Sequence, residues 1–110
     1  MKKVNDIEAR GDEALAYLTS SDESAASLKH EVDVAEANYQ AILDVLFLHS
    51  EMGSVEAKKA DARTNERAEN ARLAYFEAQR KYDAMANRRK SEALVMDWCR
   101  SLYSNYRQGK

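Results

Sequence analysis

Two imidazoles, one thiol and a cluster of basic and aromatic side chains are the residues with reactive or ligand-binding potential in this 110-residue chain. His30 and His49 lie nineteen residues apart. On one helix that is roughly 28 Å of rise, too far for a shared metal within one chain. His49 continues an apolar heptad series and reads as a polar seam residue. Cys99 sits among apolar neighbours and reads as a small core hydrophobe rather than a nucleophile. Asp33, Glu36 and Asp44 have the spacing of helix-surface carboxylates. No metal-binding, phosphate-cradling or dinucleotide motif is present, so no catalytic residue, cofactor site or metal site is assigned and the chain reads as a non-enzyme. What remains is basic: Arg80, Lys81, Arg88, Arg89, Lys90, Arg100, Arg107 and Lys110, interleaved with Tyr82, Trp98, Tyr103 and Tyr106. Cations hold phosphates and aromatic rings stack on bases, so Arg88, Arg89, Lys90, Arg100, Tyr103, Tyr106 and Arg107 form a candidate surface for nucleic acid or a partner. The competing account is a helical core beside an acidic first helix, and a pI near 5.7 favours it.

The elements that position these residues read as helices throughout. With no proline, three glycines and 33% charged residues, the composition is that of a long helix or coiled coil and excludes a β-sandwich. The spacing predicts a first helix over about 4–19, where Gly11 is a weak point. Thr19-Ser20-Ser21-Asp22-Glu23 then signals a break near residue 21, with Ser20 and Glu23 matching a capping box. A second helix is predicted over about 22–51. Its Leu28, Val32, Ala35, Tyr39, Ile42 and Leu46 alternate by four and three residues, the strongest pattern in the sequence. Gly53 suits a left-handed helix end and Ser54 suits the cap of the next helix. From there one uninterrupted helix is expected over about 54–108, on the order of 80 Å long.

These three helices predict a single all-α domain over 1–110, an elongated antiparallel helical hairpin of coiled-coil type whose first arm is broken. A turn centred near Met52 and Gly53 would bring level those residues whose numbers total about 105. Leu28 then falls beside Phe76 and Ala78, Val32 beside Leu73 and Tyr75, Leu18 beside Met85 and Ala86, Ile7 beside Trp98, and Val4 beside Leu102. Charge agrees, because residues 1–55 carry four basic and eleven acidic side chains whereas residues 80–110 carry eight and three.

A two-layer hairpin covers one stripe of each helix, yet residues 42–48 are apolar on nearly every side, and the excess recurs around Leu94 and Trp98. Leu43, Val45, Phe47, Leu48, Leu94, Trp98 and Leu102 are therefore expected to form an interface, most simply in a homodimer or higher helical bundle. A partner helix in the same apolar face is the adaptor alternative. The lone cysteine fits a reducing compartment. No apolar run approaches a membrane span, and Met1-Lys2-Lys3-Val4-Asn5-Asp6 does not open like a secretory leader, so a cytoplasmic location without membrane contact is expected.

The stretch Glu92-Ala93-Leu94-Val95-Met96-Asp97-Trp98-Cys99-Arg100-Ser101-Leu102, with Asn87-Arg88-Arg89-Lys90 before it and Tyr106-Arg107-Gln108-Gly109 after it, resembles small helical proteins of unassigned function encoded by bacteriophages and prophages. The resemblance covers about the last quarter of the chain. It implies a bacterial host cytoplasm, a host or phage partner protein and a setting among DNA recombination, replication and single-strand-binding functions. It also makes Trp98, Arg100, Leu102 and Arg107 a candidate contact segment.

Overall fold

The computed structural model describes residues 2–108, with side chains from Asn5 onward. These residues form four helices and no strand: α1 (Lys2–Ser20), α2 (Asp22–His49), α3 (Val55–Thr64) and α4 (Glu66–Gln108). Val4 paired with Leu102, and the basic Lys110, lie outside the described side chains. The chain divides into two compact units, a terminal one from residues up to 26 with those from 83 onward, and a central one from residues 27–82.

In the central unit the heptad series of α2 does what its spacing requires. Val32 and Ile42 are buried and Leu28, Ala35, Tyr39 and Leu46 half-buried. Ile42 packs with Ala68 and Ala71 of α4, and Tyr39, Leu43 and Leu46 close around this cluster. Alanine on the α4 side keeps the two backbones close, while Tyr39 stacks on Tyr75 at 6.5 Å between ring centroids.

Two expectations fail here for local reasons. α2 ends at His49, within two residues of its expected end, where Ser50 turns the chain: its hydroxyl donates to Asp61 at 2.8 Å and accepts from the Met52 amide. Among the described residues no glycine has a positive φ, so Gly53 is not the left-handed terminator its type suggested. Ser54 does cap α3, accepting the Ala57 amide at 3.1 Å. The expected third helix is interrupted at Asn65, whose backbone is extended. Its side chain accepts the Arg67 amide at 2.9 Å and its carbonyl accepts the Glu69 amide at 3.0 Å, so Asn65 begins α4 as an N-cap.

The turn changes the register. Residues 50–54 contribute no regular helical rise, and Ser50 already meets Asp61 ahead of Asn65, so α3 and α4 are displaced by several residues from the even pairing expected of two continuous arms. Lys29 lies over the ring of Tyr82, not beside Phe76, and Tyr39 meets Tyr75, not Glu66. Leu73 and Phe76, expected in the seam, are each 54% exposed.

In the terminal unit α1 runs antiparallel to α4. Ala14 and Cys99 are buried, and the thiol of Cys99 packs as the small apolar residue its neighbours implied. Ile7 does not meet Trp98; it shares a groove with Met96, Cys99 and Tyr103, while Trp98 faces outward. Gly11 lies opposite Cys99, and a Cβ built on it would stand 3.4 Å from the Cys99 Cβ, an ordinary contact. Gly11→Ala should therefore raise stability by about 0.5–1 kcal/mol through helix propensity, measured as a higher urea midpoint. A lower midpoint would mean that the close approach does not tolerate a methyl group.

Between α1 and α2 helical bonding continues through Ser21, whose amide donates to Tyr17 at 2.9 Å and whose carbonyl accepts from Ala25 at 2.8 Å. The expected capping box is not what holds the junction. The Ser20 hydroxyl bonds back to the Tyr17 carbonyl at 3.2 Å, and the guanidinium of Arg89 donates to the Leu18 carbonyl at 2.9 Å, to the Ser21 hydroxyl at 2.6 Å and to the carboxylate of Asp22. One forked cation from α4 thus satisfies a carbonyl, a buried hydroxyl and an acid at the point where two helices abut.

Candidate functional site

Two surfaces carry the apolar excess. On the central unit, α2 turns Leu43 and Phe47 toward α3, where they are half-buried, and leaves Val45 and Leu48 outside, Leu48 at 77% exposure. Leu43, Phe47 and Ala62 line a groove of about 380 Å³ whose rim carries Lys59 and Arg63 from α3 and Gln40 and Asp44 from α2. Lys59 and Arg63 are four apart on one helix, so they share a face. The ammonium of Lys58 stands 5.8 Å from the Phe47 ring. His49 does not occupy the seam; it is exposed, as is His30.

On the terminal unit, Leu94 and Trp98 are 63% and 61% exposed, and Leu102 is half-buried. They lie one turn apart on α4, on the side away from Met96 and Cys99. The seven residues expected to form an interface therefore divide into an exposed group, Val45, Leu48, Leu94 and Trp98, and a half-buried group, Leu43, Phe47 and Leu102.

The basic aromatic set is distributed in a way its spacing did not show. Arg89 is committed to the helix junction. Arg88 lies 4.0 Å over the ring of Tyr17. Arg107 stands 5.8 Å from the Tyr103 ring, and Arg100 borders the groove shared by Ile7 and Tyr103. Lys90 and Tyr106 are exposed. Arg88 and Arg89 are thus engaged within the terminal unit, whereas Arg100, Tyr103 and Arg107 fall on one face of α4 and Lys90 is set apart from them.

The ionic pairing within the terminal unit also departs from the overall charge pattern. Asp22 with Arg89 has the expected polarity, but the longest-range pair reverses it: Arg10 donates two hydrogen bonds to Glu92, at 2.9 and 3.1 Å. This fork holds the Glu92 carboxyl below the usual glutamate range, and the negative form is the one the folded chain favours. The stability it confers is present above the ordinary carboxylate range and fades as pH falls below it. Glu92→Gln should lower the urea midpoint at neutral pH, with the difference from the parent protein narrowing as pH falls below the ordinary carboxylate range. A pH-independent difference would show that packing, not charge, is lost.

Arg10, Glu92, Ser50, Asn65 and the Lys59 and Arg63 rim were not singled out by residue type. Only Asn65 had a local signal, a preferred N-cap followed by Glu66. Among the described residues no three His, Cys, Asp or Glu side chains gather as a metal site, and no helix is long and apolar enough to cross a membrane. Comparison with protein families, with curated proteins and with solved structures gave no match.

Proposed function

We propose that this chain is a non-enzymatic, self-associating helical scaffold that works through its apolar surfaces, with a homo-oligomer as the functional unit. The observation that supports it is the outward placement of Val45, Leu48, Leu94 and Trp98 while no large side chain among the described residues is fully buried. Burying one such residue is worth about 1.5–3 kcal/mol, a large share of a marginal stability, so a second surface over these patches is favourable. The resemblance to phage and prophage proteins sets this role in a bacterial cytoplasm, among the proteins of DNA recombination or replication.

Sedimentation equilibrium over the micromolar range should show a mass rising with concentration, and Leu48→Glu or Trp98→Glu should lower it. A monomer at every concentration would overturn the reading. An intact oligomer that has lost a captured partner would instead favour an adaptor. Direct nucleic-acid binding is the second reading, supported by Arg107 and Tyr103 together with the exposed Lys90 on α4. It requires a salt-dependent gel shift with single-stranded or duplex DNA, and the lack of a shift at low salt would eliminate it.

A further inference from the structure

We infer that Trp98 of one copy seats in the groove between α2 and α3 of another, so that the chain associates head to tail; this inference rests on the self-association proposed above. Trp98 is the one tryptophan of the chain and stands outward on α4. The groove floored by Leu43, Phe47 and Ala62 has a volume of about 380 Å³, within the range that accepts a compact aromatic group. Its floor is apolar, as an indole requires, and the wet end of the indole meets a polar rim.

Charge selects the occupant. Asp97, next to Trp98, is exposed and forms no ion pair with any described residue. The rim offers two cations, Lys59 and Arg63, against one carboxylate, Asp44, and Lys59 likewise has no acidic partner among the described residues. An acidic side chain arriving beside an indole is thus matched on both counts. The symmetric alternative is disfavoured by the same residues. A two-fold axis through the Leu94 and Trp98 patch, with the two α4 helices antiparallel, sets Asp97 against the Asp97 of its mate, placing like charges at the edge of the contact. A knob and a socket on different parts of the surface make a heterologous contact, which closes as a ring or extends as a filament.

The test uses two full-length variants, Trp98→Ala, which keeps the socket, and Lys59→Glu/Arg63→Glu, which keeps the knob. All three substituted side chains are exposed, and circular dichroism checks that both proteins retain the parent helix content. In the parent protein, tryptophan emission should move to shorter wavelength as concentration rises, in step with sedimentation. Each variant alone should associate about 30-fold more weakly or worse. Mixed in equal amounts they should form a one-to-one dimer and nothing larger, with a blue shift that reports on the socket variant's Trp98, the only indole in the mixture. Asp97→Lys should bind the reversed-charge socket better than it binds the parent one. If the parent protein associates but the mixture shows neither dimer nor shift, or if either variant alone associates like the parent, the head-to-tail contact is wrong and another interface carries the oligomer. A parent protein that stays monomeric removes both this contact and the scaffold role.

Discussion

Arg89→Ala should destabilise the protein by about 2–3 kcal/mol, out of the 5–15 kcal/mol typical of a small domain. The estimate follows from what the guanidinium touches. It donates to the Leu18 carbonyl, to Ser21 and to Asp22, and Ser21 is buried, so truncation leaves polar groups at the helix junction without their donor. Hydrogen bonds from a charged donor contribute about 1.5–3 kcal/mol each, but the partial exposure of Arg89 lets water replace some of the loss. Arg89→Lys should recover little, because an ammonium cannot reach three acceptors with the geometry of a fork. Arg88→Ala is the control: it removes an exposed cation from the half-buried Tyr17 ring and should cost about 0.5–1 kcal/mol. Urea unfolding gives all three values, and amide exchange should be fastest around residues 18–22 in the alanine variant. Parent-like stability in Arg89→Ala would mean that the junction is held by helix continuity alone.

Ile42→Ala should cost about 2–4 kcal/mol, the second large effect. Ile42 is the largest buried side chain on α2, and the residues it packs on, Ala68 and Ala71, are too small to move in and fill the space it leaves. Leu48→Ala removes as many apolar atoms from the same helix yet should change unfolding by less than about 0.5 kcal/mol under dilute conditions, because Leu48 is bathed in solvent. Equal costs for the two would show that the α2 seam is not the core of the central unit. The contrast also separates folding from assembly, since Leu48 matters to the proposed oligomer and Ile42 to the fold of each copy.

The helical class, the α2 seam and the serine cap of α3 were legible because each is written in residues close together in sequence. Alternating spacings of three and four place side chains on one face whatever lies far away, and a serine before a helix satisfies its own amides. The interruption at Asn65 was harder to read, because Thr64-Asn65-Glu66 lies in a run of residues that favour helix and a single asparagine is tolerated inside one. The register was harder still: the turn at residues 50–54 had already displaced the returning arm, which put Leu73 and Phe76 outside, and the long-range fit turned Arg89 from a candidate phosphate ligand into the pin of the α1 and α2 junction.

By itself the sequence determined that the chain is helical, where α1 and α2 begin and end to within a few residues, and that its apolar residues exceed what one pair of helix faces can bury. Periodicity and capping act over one or two turns, so those properties are settled locally. Only the tertiary structure decided which residues of α4 meet α1 and α2, that Arg10 grips Glu92, and that Leu43, Phe47 and Ala62 frame a groove under two cations while Trp98 stays outside. Register between helices depends on the few residues spent in turns and interruptions, and a slip of a few positions rotates side chains between core and solvent without altering the pattern of any single helix.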